Sequence, residues 1–362
     1  MSSHHHRHRR KLDLRYMSKG RKLFFAVLIL IVIVAVIAGI YTLMSRLEER
    51  LDKTPENAGL ALSRTSASQE NPANGVDEPT TPVIYYNGGK YTYNEGLSTL
   101  LILGVDDPEL TETQSTENTS QADFLLLAVF DPETESCTLI QLNRDTMCDV
   151  SVMDALGKRY ATEYEQLALA HTYGNGLEKS CENTVYTVSR LLYGITIENY
   201  FSFTMDAIPI LNNLVGGVTV TVEDDFTGID DTLIKGETVT LTDENVEHFV
   251  RSRMHMKEDG TNLARMRRQR SYMTALFSAM SERMKADSSF ALDAWAALGD
   301  SMVTDCTVNE LNEYVENFGG YTLSGIRVPE GELKLGEKYY EFYVDDADLQ
   351  KLVIDTFYQR VD

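Results

Sequence analysis

An uninterrupted apolar run near the N-terminus constrains this chain more than any other feature of its sequence. Residues 23–44 contain no charged side chain. At about 1.5 Å per residue, an α-helix of this length covers about 33 Å, enough to cross the roughly 30 Å hydrocarbon core of a bilayer. A cleaved signal peptide would have a shorter apolar core, of roughly 7–15 residues. The run therefore predicts one transmembrane helix over residues 23–44.

The charges beside this run predict its orientation. Residues 1–22 carry many arginines and lysines against a single acid, Asp13, and such basic flanks stay in the cytoplasm. We therefore expect a basic cytoplasmic tail over residues 1–22 and export of the rest of the chain. The predicted localisation is the cell membrane, with one span and an extracellular C-terminal domain.

Composition separates a linker from the exported domain. Residues 45–82 begin as a charged stalk and continue rich in Ser, Thr, Asn, Pro and Glu, without an apolar period, which is typical of a linker. Residues 83–362 are then expected to form one globular domain. The whole chain has a net charge of −22 at pH 7 although its tail is basic, so this domain is strongly acidic. Such a charge argues against nucleic acid as a partner.

Short apolar runs alternate with helical patterns in this domain, which predicts an α/β fold with a mixed central β-sheet flanked by helices (α/β/α). Runs at 100–105, 124–130 and 138–142 are nearly continuous in apolar character and predict buried strands. Asp131-Pro132 predicts the turn of an antiparallel hairpin between the last two. Other patterns predict helices at 160–171, 179–193 and 206–214, and strands at 201–203, 218–222, 321–328 and 339–344.

Capping residues mark several helix ends. Gly216-Gly217 is expected to end one helix, and Thr242 to begin the next. Thr307 and Glu310 have the spacing of a capping box, and Asp345 is expected to start the last helix.

Carboxylates and an arginine stand at the ends of the three predicted strands. Asp106 follows the first strand, Asp123 opens the second, and Arg144-Asp145 follows the third. Hairpin pairing would bring these charges to one edge of the sheet, where sites in α/β proteins usually lie. The alternative is that each charge ends a strand and faces water.

A second group of charges is basic, in a domain that is otherwise acidic. It contains Arg251, Arg253 and, further on, Arg265, Arg268 and Gln269, which share one helical face at i, i+3 and i+4. Guanidinium groups grip phosphate oxygens in pairs, so this face suits a pyrophosphate. A solvated basic stripe is the alternative. Acids that hold a divalent metal, together with a guanidinium clamp, would neutralise a diphosphate during transfer.

Two other sets of residues carry weaker signals. The acidic residues 223–225, together with Asp230 and Asp231, lack the spacing and the glycine of a calcium loop and are expected to lie on a solvated hairpin. The cysteines lack the spacing of a zinc site. Cys148 and Cys181 are a candidate disulfide, and buried free thiols are the alternative.

The order of the motifs resembles that of the LytR-CpsA-Psr family, over roughly residues 100–273. Six segments match: Leu-Ile-Leu-Gly-Val-Asp ending at Asp106, Ala-Asp-Phe-Leu-Leu-Leu around Asp123, Asn-Arg-Asp-Thr at 143–146, Val-Gly-Gly-Val at 215–218, Arg-Ser-Arg at 251–253 and Ala-Arg-Met-Arg-Arg-Gln at 264–269. The resemblance implies an α/β/α domain with an apolar tunnel for a polyprenyl tail. It also implies a phosphotransferase that moves a glycopolymer, such as a teichoic acid or a capsule, from an undecaprenyl pyrophosphate carrier to peptidoglycan.

The resemblance also assigns residues to roles. Asp106 and Asp123 would hold Mg²⁺, and Arg144 and Asp145 are the predicted catalytic residues. The predicted pyrophosphate contacts come from a larger set, namely Arg144, Arg251, Arg253, Arg265, Arg268 and Gln269.

The chain departs from the family pattern, which marks it as a divergent member. Gln121 stands where the family often has Arg, Gln166 and Ala168 replace a Lys-x-Asn motif, and Asn262 replaces an Asp. Losing one cationic contact would cost on the order of 2–4 kcal/mol of transition-state stabilisation. The alternative function is therefore a weakly active or inactive polyprenyl-pyrophosphate binder that acts as an envelope scaffold or regulator.

Overall fold

The computed structural model describes residues 83–113, 118–153, 157–253, 261–287 and 289–362. The predicted cytoplasmic tail (1–22), transmembrane helix (23–44) and linker (45–82) all lie outside these residues. Among the described residues, no helix combines the length and the apolar character that a membrane crossing requires.

The β-structure is distributed along the whole described chain. Its strands are β1 (Val83–Tyr86), β2 (Gly89–Tyr93), β3 (Ser98–Val105), β4 (Ala122–Asp131), β5 (Ser136–Leu142), β6 (Met147–Met153), β7 (Arg159–Gln166), β8 (Asn199–Phe203), β9 (Thr219–Thr221), β10 (Thr238–Thr240), β11 (Met302–Thr304), β12 (Thr322–Arg327), β13 (Gly331–Leu335), β14 (Tyr340–Val344) and β15 (Tyr358–Arg360).

The helices fall mainly in the second half of the described chain. They are α1 (Glu178–Leu191), α2 (Ala207–Leu214), α3 (Val246–Arg251), α4 (Asn262–Ala286), α5 (Phe290–Leu298), α6 (Val308–Phe318) and α7 (Asp346–Phe357), with 3₁₀ turns at Leu167–Thr172 and Gly299–Ser301.

Six strands form the central sheet, in the order β11-β8-β3-β4-β5-β12. The pairs β3–β4, β4–β5 and β8–β11 are antiparallel, whereas β3–β8 and β5–β12 are parallel. The sheet is therefore mixed, as predicted, and the expected β4–β5 hairpin is present. The apolar runs of β3 to β5 place it at the centre because they bury side chains on both faces.

Helices cover both faces of this sheet, which confirms the α/β/α prediction. On one face, Leu125 and Leu127 pack in a core with Val185 and Val188 of α1. On the other face, Leu126 packs with side chains of α4 and α6. Alternation along β4 sends neighbouring leucines into the two different cores.

Several predicted elements are confirmed at their ends. Thr307 and Glu310 form the capping box of α6, and the Asp345 side chain accepts from the Asp348 amide at the start of α7. Gly216 and Gly217 end α2 with φ of 83° and 93°, a region that favours glycine.

Three predictions about local structure are wrong. The expected helix at 160–171 is strand β7 followed by a 3₁₀ turn, because its Tyr and Thr residues pair with β6. The N-cap of α3 is Asn245 and not Thr242. The acidic residues 223–225 are not all solvated, because Asp224 forms a largely buried ion pair with Arg268.

The cysteines are free and buried. Cys148 and Cys181, the candidate disulfide pair, lie as thiols in the same core. The free-thiol alternative therefore describes this structure, and burial raises the pKa of the Cys148 thiol to about 12.

Candidate active site

The pairing of β3, β4 and β5 brings the predicted charges to one edge of the sheet. Asp106 follows β3, and its amide donates to the Gln121 carbonyl at 2.9 Å. Asp123 lies at the start of β4, and Leu125 pairs with Leu142 at the end of β5, so Arg144 lies near Asp123. The predicted meeting of these residues at one sheet edge is confirmed.

Arg144 contacts three other polar residues of the site. Its guanidinium donates to the Asp123 carboxylate and, at 2.5 Å, to the Gln121 side-chain oxygen. Its Nε lies 3.2 Å from Asp145 Oδ1. Gln121, where the family often has Arg, therefore acts as an acceptor that orients Arg144.

Asp145 is a buried carboxyl group beside Arg144. Asn143 Oδ1 accepts from its amide at 3.0 Å, and Gln166 Nε2 donates to its Oδ1 at 3.3 Å. Burial raises the pKa of Asp145, while the charge of Arg144 opposes the rise. A carboxyl group with a raised pKa next to a cation is suited to accept a proton.

Arg265 approaches the same carboxylate from the first turn of α4, whose N-cap is Thr261. Arg265 Nη1 donates to Asp123 Oδ2 at 2.9 Å, so Asp123 bridges Arg265 and Arg144. Burial lowers the pKa of Arg265 to about 10, with a further contribution from the positive charge of Arg253. Both guanidinium groups remain charged at neutral pH.

Two buried asparagines support this arrangement, and the sequence did not assign them a role. Asn262 Oδ1 accepts from Arg265 Nε at 3.0 Å and Nη2 at 2.7 Å. Its Nδ2 donates to Asn143 Oδ1 at 2.6 Å. The amide thus connects the helix that carries Arg265 to the turn that carries Arg144. Both asparagines lie in or next to segments that match the family motifs, and this position was the sequence signal that could have identified them.

The remaining predicted arginines form the rim. Arg251 is exposed and lies 3.4 Å from Asp106 and 3.0 Å from Glu247. Arg253 is half-buried, and its charge helps to lower the pKa values of Arg144 and Arg265, after burial. Within the described residues, Arg253 has no carboxylate at ion-pair distance.

Arg268 and Gln269 lie on the predicted face of α4, but their side chains form hydrogen bonds to neighbouring protein groups. Arg268 donates to Asp224 at 2.5 Å and to the Phe249 carbonyl at 2.8 Å, and also to the Ser252 carbonyl. Its side chain is only 3% exposed. The geometry therefore offers no pyrophosphate contact from Arg268. Gln269 contacts the Val250 carbonyl and Gln141.

The donor set at Asp106 and Asp123 is compatible with Mg²⁺. Within the described residues, no group of three or more His, Cys, Asp and Glu side chains could enclose a metal. Mg²⁺, however, usually takes one or two carboxylates and completes its shell with water and substrate phosphate oxygens. The Asp106 side chain is about half exposed and that of Asp123 is 23% exposed, so both are accessible to such an ion.

An apolar cavity of about 350 Å³ opens beside these charges. It lies among β3, β8, α2, α4 and α5, and Asp123, Arg251 and Arg265 contribute to its wall. The rest of the lining is mostly apolar, with side chains such as Phe203, Leu211, Phe277 and Trp295.

The fold and the site define a class of protein: an α/β/α domain in which clustered arginines and a carboxylate lie at the mouth of an apolar cavity. The profile of the LytR_cpsA_psr family matches residues 60–354. The chain belongs to this family.

The chain is also similar to curated relatives. It is 24% identical over 335 residues to the polyisoprenyl-teichoic acid–peptidoglycan teichoic acid transferase TagU of Bacillus mycoides (strain KBAB4), covering 92% of this chain and 95% of the relative. It is 27% identical over 309 residues to the TagU of Enterococcus faecalis (strain ATCC 700802 / V583), covering 78% and 86%.

Solved structures share the fold. Protein gbs0355 from Streptococcus agalactiae has a TM-score of 0.58 at 19% identity, covering 72% of this chain and 87% of that one. TagT bound to LIIa-WTA has a TM-score of 0.55 at 18% identity, covering 72% and 90%.

Proposed function

We propose that this protein is a transferase of cell-wall assembly that moves a glycopolymer from a polyprenyl pyrophosphate carrier to peptidoglycan. The observation that carries the proposal is the Asp123 carboxylate held between Arg144 and Arg265 at the mouth of an apolar cavity. The named activity of the TagU relatives supports the same function.

The cavity and the arginines bind different parts of the substrate. The apolar wall receives the polyprenyl tail, because burial of apolar surface stabilises the complex by roughly 25 cal/mol per Å². The pyrophosphate then lies at Arg144 and Arg265, with Arg251 and Arg253 at the rim. Arg144 and Arg265 are held in position before the substrate arrives, so their side chains need little ordering to stabilise developing charge.

The transfer step needs a base and a leaving group. An acceptor hydroxyl oxygen attacks the phosphorus that carries the glycopolymer, and a new P–O bond forms. The bond from that phosphorus to the carrier's bridging oxygen breaks, and polyprenyl phosphate leaves. Asp145 takes the hydroxyl proton, since burial raises its pKa toward the working range. Arg144 holds the phosphate oxygens during the exchange.

Mg²⁺ is part of the proposal. Asp106 and Asp123 would hold it, and the ion would supply Lewis-acid neutralisation of the diphosphate.

We further propose that residues 23–44 anchor the protein in the cell membrane, with the tail over 1–22 in the cytoplasm and the domain outside. This orientation would place the cavity in the compartment where peptidoglycan is assembled. Protease protection in intact and permeabilised cells tests it: digestion of the domain only after permeabilisation would contradict the proposed orientation.

The pyrophosphate site is tested by calorimetric titration of the full-length protein with a short-chain polyprenyl pyrophosphate, with and without Mg²⁺. Arg144→Ala should cost at least about 2 kcal/mol, or roughly 30-fold in affinity. Arg327→Ala, which removes an exposed arginine of β12, should leave binding unchanged. Equal affinities for the wild type and Arg144→Ala would refute the site.

A second function is favoured by one observation. Gln121 replaces a cation that the family often has, and its side chain only orients Arg144. A site with one positive charge fewer fits an envelope scaffold that holds a polyprenyl pyrophosphate without rapid transfer. Incubation with a lipid-linked glycopolymer and peptidoglycan separates the two functions, because only a transferase releases polyprenyl phosphate.

A further inference from the structure

A second β-surface lies directly against the predicted catalytic residues. Strands β6 and β7 pair along their length, and β14 joins them through a parallel bridge between Thr146 and Phe342. The Phe342 amide donates to the Asp145 carbonyl at 2.8 Å. Gln166 Nε2 donates to the Tyr340 carbonyl at 2.7 Å and also reaches Asp145 Oδ1.

The two faces of this surface differ. Val150 and Phe342 are buried on the inner face. Tyr164 pairs with Asp149 across the β6–β7 ladder, and both are one step out of phase with Val150, so they lie on the outer face. Tyr164 is 59% exposed. Alternation along β14 likewise places Tyr343 on the outer face.

Tyr343 is held in position by its neighbours. Its hydroxyl donates to Glu341 Oε2 at 2.6 Å, and Lys334 Nζ lies 4.8 Å from the ring centroid. The hydrogen bond to Glu341 raises the pKa of Tyr343, and the proximity of Tyr164 adds to the rise. Tyr164, Gln166, Glu341 and Tyr343 thus form one outer surface, here named the tyrosine face.

The charges of the tyrosine face exclude a phosphate-rich ligand. Lys334 is paired with Glu332 at 2.9 Å, and Arg190 is paired with Asp149 at 3.3 Å. Glu341 adds a further negative charge. This face therefore presents carboxylates and tyrosines, and the positive charges of Lys334 and Arg190 are both paired. A polyanionic glycopolymer or an anionic lipid surface would be repelled, whereas an uncharged sugar would not.

We propose that the tyrosine face binds the uncharged sugar strand of the acceptor, an inference that rests on the transferase function proposed above. Rigid tyrosine rings offer apolar faces for the C–H surfaces of sugar rings at little cost in conformational entropy. The carboxylate of Glu341 and the side-chain oxygen of Gln166 offer acceptors for sugar hydroxyl groups, since the Gln166 amide already donates to Tyr340 and Asp145. Because Gln166 contacts both the face and Asp145, a sugar bound there has its hydroxyl groups next to the proposed base.

The experiment measures glycan binding by the full-length protein in detergent micelles. The probe is a soluble β-1,4-linked N-acetylglucosamine oligomer, and its dissociation constant is measured by calorimetry. Tyr164→Ala and Tyr343→Ala should each weaken binding about fivefold or more. The matched control is Tyr85→Ala, since Tyr85 is 55% exposed on β1 and should not affect the affinity. Polyglycerol phosphate should not compete with the probe.

The outcomes separate this inference from the proposed function. Wild-type binding that both tyrosine variants weaken supports the tyrosine face. Absence of glycan binding, or an equal loss of affinity in Tyr85→Ala, overturns it. The polyprenyl pyrophosphate titration of the same variants should be unchanged. If glycan binding holds while pyrophosphate binding never needs Arg144, then the proposed transferase site fails and the sugar-binding face remains.

Discussion

Replacing Asp224 by Asn should destabilise the domain more than any single change on its surface. The Asp224 carboxylate accepts from Arg268 Nη1 at 2.5 Å, and the two side chains are 13% and 3% exposed. Removing one partner of a buried ion pair leaves an uncompensated charge, which costs about 3–5 kcal/mol. Arg268 keeps its contacts to the Phe249 and Ser252 carbonyls, so we expect the lower end, about 3 kcal/mol.

This loss should be visible as a shift in the melting temperature. For a domain of this size, 1 kcal/mol corresponds to roughly 2–4 °C, so Asp224→Asn should lower Tm by roughly 6–12 °C. Polyprenyl pyrophosphate affinity should fall as well, because Arg268 fixes the end of α3 from which Arg251 and Arg253 extend.

The assay is urea unfolding of the full-length protein, followed by circular dichroism. Glu223→Gln is the matched control, since it removes one charge from an exposed neighbour and should change stability by less than about 0.5 kcal/mol. The double variant Asp224→Asn/Arg268→Met should be more stable than Asp224→Asn. Equal stabilities of Asp224→Asn and Glu223→Gln would refute the reasoning.

Three further predictions follow from buried groups. Burial lowers the pKa of His171 to about 4, below its unfolded value of about 6.5. As the pH falls from 6.5 to 4, the free energy of unfolding should therefore decrease by about 1.4 kcal/mol per pH unit, and His171→Gln should flatten that slope in urea unfolding. Ala294 lies in the wall of the cavity, so Ala294→Trp should fill part of it. Calorimetry should then show loss of polyprenyl pyrophosphate binding but retention of inorganic pyrophosphate binding. Unchanged polyprenyl pyrophosphate binding would contradict the assignment of this cavity to the polyprenyl tail. The buried thiols should react with a thiol reagent only after unfolding, and reaction in the native protein would count against their burial.

The central sheet could be predicted from the sequence because its strands are marked by local signals. The runs in β3, β4 and β5 are apolar on both faces, and Asp131-Pro132 marks the turn. Since hairpin pairing follows from these elements, so does the meeting of Asp123 and Arg144. Strand β7 was missed because polar residues occur on both of its faces and none of its residues is fully buried, so it carries no continuous apolar signal.

The support of the site depends on contacts that no local pattern contains. Helical spacing correctly placed Arg265 and Arg268 on one face of α4, but it could not show that Asp224 would reach Arg268 from 44 positions away. The contact between Asn143 and Asn262 spans 119 positions. Such pairs are fixed by packing of distant elements, so only the structure separates the arginines that face the site from the one that supports it.

The bridge that Asp123 makes between Arg144 and Arg265 has a thermodynamic consequence. In the free protein this single carboxylate pairs with two guanidinium groups, so any anion that binds them competes with a resident acid. A divalent ion that draws Asp123 away would release both cations for the anion. Each of these ligands should therefore raise the affinity of the other by the same factor, as reciprocity requires. The resting site would then discriminate against a lone anion or a lone cation and would accept the two together.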